Sequence, residues 1–270
     1  MSARDTRIRL PNGTGPKLAR RRVVADFAPL LSDPKPRAPQ LSELVHGQDF
    51  DIHVEQGRWA FGRARPLVTG GRRKGYTGWI EAARLGEPSG RHTHVVTGVS
   101  APVFCRADLK SHILMSVPMG SRVAVMDERD GYSQIGAGAW LSRLHLRRVC
   151  EPETDWIAVA RRMLGQPYVW GGNGARGVDC SGLVQMSLSV CGVDAPRDAD
   201  LQEVALGEPV DAPDRPGDLL FWPGHVGVMA TKTRLLHANA THMAVVEEPL
   251  GPALRRMEKA GVRLRAVKRF

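Results

Sequence analysis

The stretch GQPYVWGGNGARGVDCSGLVQ, residues 165–185, places one cysteine, Cys180, between a glycine-rich segment and an apolar run. A structural cysteine is expected inside an apolar run, because an uncharged thiol packs as a small hydrophobic group. Cys180 stands instead at the end of a loop. Four interpretations follow: a buried filler, half of a disulfide, a metal ligand or a nucleophile.

The other cysteines argue against two of these interpretations. Cys105, Cys150 and Cys191 form no CxxC pair with each other or with Cys180, and no Cys/His cluster has the spacing of zinc ligands. The N-terminus carries positive charge with no apolar core after it, so it does not resemble a secretory signal and a cytoplasmic location is expected. A disulfide framework is therefore not expected. The filler and the nucleophile remain.

The residues after Cys180 are compatible with a strand or a helix. Val184, Met186, Leu188 and Val190 alternate as in a strand, whereas 184, 188 and 191 have helical spacing. The glycine-rich entry and a terminal glycine at 192 favour a helix that begins at Cys180. Unpaired N–H groups and the helix dipole would then favour a thiolate and lower the pKa of the thiol below its ordinary value of about 8.5.

Two histidines further along the chain can serve such a nucleophile. His225 opens the alternating run HVGVMA, and His237 follows twelve residues later in RLLHANA. Paired antiparallel strands would bring the two imidazoles side by side. The first can then accept the thiol proton while the second fixes its tautomer.

The 270-residue chain is long enough for two or three domains. GWIEAARL and AWLSRLHL share a small residue, a Trp, an aliphatic residue and a Leu five positions later, which indicates two related units of short strands. We expect a flexible basic N-terminus over 1–22, small all-β barrels over 23–88 and 93–150, and an α+β domain over 151–270.

The net charge of +10 permits binding to nucleic acid or to an anionic surface. The dense basic runs KLARRR (17–22) and GRRKG (71–75) contain no aromatic residue on which bases could stack, so no nucleic-acid partner is expected. No stretch approaches the roughly 20 apolar residues that a membrane span needs.

The motifs QPYVWGG, DCSGLV, PGDLLFW, HVGV and LLHANA, in this order, resemble those of the NlpC-type peptidases, which are papain-like cysteine hydrolases. The resemblance implies that Cys180 is the nucleophile, His225 the general base and His237 the residue that orients it. It implies that Tyr168 contributes at the oxyanion and that Trp170 contacts the substrate. It also implies that the reaction requires no metal or other cofactor.

Two SH3-like barrels ahead of such a domain, with PRDADLQ at 196–202, resemble the γ-D-glutamyl-L-diamino-acid endopeptidases of the dipeptidyl-peptidase VI type. The resemblance implies cleavage of murein peptides that carry a free L-Ala amine, bound in part by Asp179 and Ser181. Relatives commonly carry a Glu where this chain has Gln48. A neutral amide holds an ammonium group less strongly, and Glu43, Asp49 and Tyr76 are the candidates to compensate.

Three alternatives remain open from the sequence. The same scaffold can run amidase or acyl-transfer chemistry on the Cys180 thiolate. The barrels can hold cell-wall fragments beside a vestigial catalytic domain. The basic tail over 1–22 can bind DNA, with an affinity that falls steeply with salt.

Overall fold

The computed structural model describes residues 5–68 and 70–270. Two compact units emerge: one combines the chain up to Thr154 with Ser189–Asp194, and the other combines Asp155–Leu188 with Ala195–Phe270. Residues 1–4 of the predicted N-terminal segment and Thr69 beside the basic loop lie outside the described residues. No helix within the described ranges is both long and apolar enough to cross a bilayer.

The N-terminal unit begins with one antiparallel sheet in the order β3-β2-β6-β5-β4-β1-β7. Its strands are β1 (Ala19–Val23), β2 (Phe27–Leu31), β3 (Gln40–Val45), β4 (Asp49–Gln56), β5 (Trp59–Ala64), β6 (Thr77–Glu81) and β7 (Leu85–Gly86). The sheet has the character of a half-barrel and forms the first of the two SH3-like modules.

The hairpin of β4 and β5 turns at Gly57, which has φ +57°. Phe50 and Ile52 are buried, as the alternating pattern requires, but Val54 is 36% exposed and does not share their face. A register shift between Ile52 and Val54 is the physical reason, because a bulge rotates the residues after it out of alternation.

Strand β1 begins within the segment that was expected to be flexible up to residue 22. Arg20 lies opposite Asp51 and Arg22 opposite Asp49 across the β1–β4 ladder. The Nε–Oδ1 distances are 2.9 Å for the first pair and 2.8 Å for the second. Opposite charges that face each other across strands stabilise the pairing, so the basic run is ordered by carboxylates of the same sheet.

The second SH3-like module is also built of short antiparallel strands, but they form two sheets. It contains β8 (His94–Val96), β9 (Ser100–Phe104), β10 (Ile113–Pro118), β11 (Arg122–Val123), β12 (Asp127–Arg129), β13 (Tyr132–Gly136), β14 (Ala139–Ser142) and β15 (Leu146–Arg148). The sheets β10-β9-β14-β13-β12 and β11-β8-β15 share a core that includes Val96, Val103 and Leu141. GWIEAARL and AWLSRLHL both form a strand, a 3₁₀ turn and a strand, which accounts for their similarity.

The C-terminal unit is an α+β domain of the papain-like class. Its elements are α1 (Trp156–Arg161), α2 (Cys180–Val190), α3 (Ala199–Ala205), β16 (Glu208–Pro209), β17 (Leu219–Trp222), β18 (His225–Met229), β19 (Arg234–Asn239), β20 (Ala244–Pro249), α4 (Leu250–Lys259) and β21 (Ala266–Arg269). The sheet is antiparallel in the order β16-β21-β17-β18-β19-β20. The predicted helix at Cys180 and the predicted paired strands that carry His225 and His237 are confirmed.

Candidate active site

Cys180 is the first residue of α2, where the preceding loop delivers it to the helix N-terminus. Asp179 caps the helix, because its Oδ1 accepts a hydrogen bond from Gly182 N at 2.7 Å. The fit between loop and helix requires glycine at 182, since a Cβ there would lie 2.4 Å from Gly172 O. This close approach fixes the position of the sulfur.

The sulfur of Cys180 lies next to the segment that joins β17 to β18. It is 4.0 Å from Gly224 O and accepts hydrogen bonds from the backbone N–H groups of Val226 and Ser181. The residue is only 5% exposed. Burial, together with the nearby Asp179 carboxylate, raises the pKa of the thiol to about 11. The lowered pKa expected from the helix terminus is therefore wrong for the free protein: desolvation outweighs the favourable N–H groups.

His225 begins β18 and His237 lies on the neighbouring strand β19, and the two imidazoles meet as expected. His225 Nε2 is 2.9 Å from His237 Nδ1. The Trp222 ring packs against His225 with 5.5 Å between centroids. Burial, and secondarily the proximity of His237, lowers the pKa of His225 to about 3. Thiol and imidazole are thus both neutral near pH 7, with the imidazole in the form that can accept a proton.

Behind His237 lies a set of groups that the sequence analysis missed. His237 Nε2 is 2.9 Å from Glu248 Oε1 and 3.0 Å from Asn239 Nδ2. Arg256 on α4 contacts both oxygens of Glu248, at 2.5 and 2.7 Å. Burial alone would raise the pKa of Glu248, but hydrogen bonds from Arg256 and His237 lower it to about 2. An ionised carboxylate therefore stands at the far end of the histidine pair.

Tyr168 and Trp170 belong to the loop that precedes α2. Tyr168 N donates to Met243 O at 2.9 Å, which ties this loop to the start of β20. Burial, with the nearby Cys180 and Asp179, raises the pKa of the Tyr168 hydroxyl to about 12. That hydroxyl remains a hydrogen-bond donor at any working pH. Trp170 is 69% exposed, so its ring is accessible from solvent.

The contacts of Asp179 differ from the expectation that it binds a substrate amine. Its carboxylate receives Arg197 Nη1 at 2.9 Å and Nη2 at 2.6 Å, and it accepts Gly171 N at 2.9 Å. Ser181 Oγ is 3.3 Å from Asp179 and 3.0 Å from Arg197. All three polar side chains are buried. Their charges and hydrogen bonds are satisfied by one another, which leaves no free anion for an ammonium group.

The PRDADLQ segment supplies two of the groups that hold the nucleophile loop. Arg197 Nη2 also donates to Gly172 O at 3.2 Å. Gln202 Nε2 donates to Ser181 O and Pro196 O, both at 2.9 Å. Through Arg197 and Gln202 the segment therefore holds the loop that leads to Cys180.

The remaining predicted contact residues lie in the N-terminal unit. Glu43 on β3 and Tyr76 before β6 are buried there. Gln48 sits in the turn before β4, where its Nε2 donates to Arg65 O at 2.7 Å. The turn borders a cavity of about 190 Å³. The charged residues that line this cavity are Arg20, Asp49, Arg65 and Arg122.

The charged residues that line this cavity are mostly cationic. Arg122 is buried, its Nη2 donates to Ser189 O at 3.0 Å, and burial lowers its pKa to about 10, so it remains a cation at neutral pH. A lining dominated by arginine does not suit an ammonium group. Among residues 5–68 and 70–270, no group of three or more His, Cys, Asp or Glu side chains is arranged to hold a metal ion.

Comparison with known proteins agrees with this geometry. The NlpC/P60 family profile matches residues 165–259. The chain is 28% identical to "Dipeptidyl-peptidase 6" of Lysinibacillus sphaericus, over 80% of this chain and 86% of that protein. It is 25% identical to "Gamma-D-glutamyl-L-lysine dipeptidyl-peptidase" of Bacillus subtilis, over 76% of this chain and 74% of that protein.

A solved structure has the same fold over nearly the whole chain. An NlpC/P60 family protein from Bacillus cereus superposes with a TM-score of 0.78 at 20% identity and covers 93% of this chain and 99% of its own. The shared fold includes the β modules as well as the α+β unit. Residues 165–259 are therefore an NlpC/P60 peptidase domain.

Proposed function

We propose that this peptidase hydrolyses the bond between γ-D-Glu and the diamino acid of murein peptides with a free N-terminal L-Ala, and releases L-Ala-D-Glu. The observations that carry the proposal are the sulfur of Cys180 at the start of α2, 4.0 Å from Gly224 O, and the contact of 2.9 Å between His225 Nε2 and His237 Nδ1. The names of the two relatives, which align over most of the chain, support dipeptide release, and one of them specifies a γ-D-glutamyl-L-lysine bond.

The proposed reaction begins with a proton transfer, because the thiol and His225 are both neutral before substrate binds. His225 takes the thiol proton as the sulfur attacks the γ-carbonyl carbon of D-Glu. The tetrahedral intermediate then collapses, the C–N bond breaks, and His225 gives the same proton to the leaving amine of the diamino acid. Water, deprotonated by His225, cleaves the thioester and restores the thiol.

The oxyanion of the tetrahedral intermediate needs hydrogen-bond donors that are in place before the reaction. We assign this role to the backbone N–H of Cys180 and the hydroxyl of Tyr168, whose high pKa keeps its proton on the oxygen. Removing one such donor typically costs 10²- to 10³-fold in kcat, roughly 2.7–4 kcal/mol. We propose that the exposed Trp170 ring contacts the substrate beside them.

For Asp179 and Ser181 we propose an indirect role. Their mutual contacts and Arg197 hold the nucleophile loop, so they shape the site that receives the peptide rather than binding its amine. Recognition of the free amine is then an independent property. It is measured by the difference between a free and a blocked N-terminus.

The test is an assay with L-Ala-γ-D-Glu-diaminopimelate, the corresponding lysine peptide and their N-acetylated forms, with products identified by mass spectrometry. We expect L-Ala-D-Glu from the free peptides. Blocking the amine should slow release by about tenfold or more, since a charged hydrogen bond contributes about 1.5–3 kcal/mol. Cys180→Ala should abolish release, whereas Cys150→Ala, which removes an exposed free thiol, should leave it unchanged.

Three outcomes would contradict the proposal. No cleavage of any of the peptides at high enzyme concentration excludes the substrate. Transfer of the glutamyl group to an added amine in place of water would show an acyltransferase. Undiminished cleavage by Cys180→Ala would remove the nucleophile.

A further inference from the structure

We propose that Glu248, held by Arg256, is a positioning residue that sets the tautomers of both histidines, so that Nδ1 of His225 carries the lone pair that takes the thiol proton. The inference rests on the proposed roles of Cys180 and His225. It adds a carboxylate and a guanidinium to the cluster that the sequence motifs define.

The contacts form one continuous line through β18, β19, β20 and α4. His225 Nε2 meets His237 Nδ1 at 2.9 Å, and His237 Nε2 meets Glu248 Oε1 at 2.9 Å. Arg256 closes the line with a two-pronged contact to the carboxylate. Because His225 Nε2 faces His237, Nδ1 is the ring nitrogen of His225 that remains for the thiol.

His237 Nε2 has two neighbours that demand opposite protonation states. Asn239 Oδ1 accepts His242 N at 2.9 Å, which turns the Asn239 amide NH₂ towards His237 Nε2. That NH₂ would donate to an unprotonated nitrogen, whereas the Glu248 carboxylate can only accept from a protonated one. A single ring nitrogen cannot satisfy both.

The ionised carboxylate prevails because a hydrogen bond to a charged acceptor is roughly twice as strong as one between neutral groups. The pKa of Glu248 at about 2 keeps it charged throughout the working range. His237 is buried and its pKa is lowered by desolvation, so the ring is neutral and holds one proton, at Nε2. Arg256 and His242 are the other titratable groups that face it, and both disfavour a second proton.

The tautomer of His237 decides the tautomer of His225. With the His237 proton at Nε2, its Nδ1 is an acceptor, so His225 donates from Nε2 and keeps an unprotonated Nδ1 for the thiol. If Asn239 prevailed, His237 would carry its proton at Nδ1 and donate it to His225 Nε2. The His225 proton would then sit at Nδ1, where it blocks removal of the thiol proton.

The same carboxylate stabilises the charged state that forms during the reaction. When His225 takes the thiol proton it becomes an imidazolium and donates to His237, whose opposite nitrogen rests on Glu248. A negative charge at this end favours the imidazolium and hence the thiolate. Each orienting partner of this kind is worth about 10- to 100-fold where it supports a histidine in metal sites.

Glu247 offers a matched control one residue away. Its side chain is 15% exposed against 14% for Glu248, and it also pairs with arginines, Arg161 at 2.8 Å and Arg234 at 3.0 Å. Successive residues of β20 point to opposite faces of the sheet, so Glu247 does not face the histidines. Glu247→Gln therefore removes the same charge and the same kind of ion pair without touching His237.

The first test uses the unmodified protein and requires no substrate. Nitrogen-15 NMR of the histidine rings at pH 7.5 distinguishes protonated from unprotonated nitrogens. We expect both His225 and His237 to carry their proton at Nε2. A His237 protonated at Nδ1 would overturn the proposal, whatever the true substrate is.

The second test measures the rate at which iodoacetamide alkylates Cys180 between pH 6 and 10. We expect Glu248→Gln to slow alkylation across this range by about 10- to 100-fold, with Glu247→Gln close to wild type. With the murein peptide as substrate, Glu248→Gln should lower kcat and leave KM nearly unchanged. Equal losses in both variants would indicate a structural role and overturn the proposal.

The two tests separate this inference from the proposed function. If the protein does not cleave murein peptides, the histidine tautomers and the alkylation rates still test the role of Glu248, because neither measurement needs the substrate. Should Glu248→Gln fail to fold, the NMR result on the wild-type protein still decides.

Discussion

At the scale of single residues, the protonation of Cys180 and His225 defines how the site must work. Burial raises the pKa of the thiol to about 11 and lowers that of the imidazole to about 3. A preformed thiolate–imidazolium pair would need a thiol pKa below the pKa of the imidazole. The free protein therefore holds a neutral pair, and charge separates only as the reaction proceeds.

This order of pKa values predicts how Cys180 reacts with pH. Because the thiolate is the nucleophile, alkylation by iodoacetamide should keep rising between pH 7 and 10 rather than reach a plateau near neutrality. The rate is measured by mass spectrometry of the peptide that contains Cys180, with exposed Cys150 as the internal reference. A plateau below pH 7 would mean that the ion pair exists before substrate binds.

The Asp179–Arg197 pair predicts a large effect on stability. Both side chains are buried, so Arg197→Met leaves a carboxylate uncompensated and should lower the free energy of unfolding by about 3–5 kcal/mol. Arg161→Met breaks the more exposed pair with Glu247 and should cost about 0–1 kcal/mol. Urea unfolding measures both. Similar losses for the two variants would contradict the structural role given to Asp179.

At the scale of elements, the start of α2 depends on a glycine that other helices do not need. In Gly182→Ala the new Cβ would lie 2.4 Å from Gly172 O and 3.0 Å from Asp179 Oδ1, so the loop must move. We expect a loss of activity larger than tenfold and a lower melting temperature, since overpacking costs about 1–3 kcal/mol.

The control for this substitution is Gly251, in the first turn of α4. A Cβ there meets only Arg255 Nη1 at 3.3 Å, the end of a flexible side chain. Gly251→Ala should be neutral or stabilising by up to about 1 kcal/mol, the gain from alanine in a helix. Kinetics and thermal unfolding of both variants decide, and an active, stable Gly182→Ala would show that the loop can relax.

The elements also show what a sequence can and cannot predict. Strands β17–β20 were predictable because each is a short apolar run bounded by turns. Helices α3 and α4 were not predicted, since α3 is short and α4 begins LGP, which resembles a turn. Glu248 was missed because its contact depends on register: His237 pairs with Val246, which brings the residue two further along β20 to the same face.

The charge states of the site could not be predicted from the sequence, because they too depend on tertiary contacts. The order of motifs was enough to predict that His225 and His237 meet on neighbouring strands. Whether a buried sulfur is easier or harder to ionise depends on the balance between desolvation and nearby N–H groups, and only coordinates supply that balance. The same holds for Asp179, whose partner Arg197 is eighteen residues away.

At the scale of the whole molecule, buried histidines predict instability in acid. Burial lowers the folded-state pKa of His46, His92, His94, His225 and His237 below the ordinary value of about 6.5. As pH falls through 6.5, the unfolded chain binds protons that the folded protein refuses, so stability is greatest above this pH and declines below it. Protonation of Glu248, whose pKa in the folded protein is about 2, adds a further loss of stability below about pH 4.5.

Thermal unfolding at pH 8, 6.5, 5.5 and 4.5 measures this effect at constant ionic strength. We expect the melting temperature to fall steadily with pH from 6.5 downwards. His225→Asn, which removes one buried imidazole, should have a shallower dependence than the wild type. A melting temperature that is constant or rises on acidification would contradict the charge states assigned to these histidines.

The proposed function depends on attack by the sulfur of Cys180 on the γ-carbonyl of D-Glu. Rapid acid quenching of the enzyme with L-Ala-γ-D-Glu-diaminopimelate, followed by peptide mapping, tests it most directly. We expect an L-Ala-γ-D-glutamyl thioester on the peptide that contains Cys180 during turnover, and its absence in Cys180→Ala. Product that accumulates without any acyl group on Cys180, or with the acyl group on another residue, would contradict it.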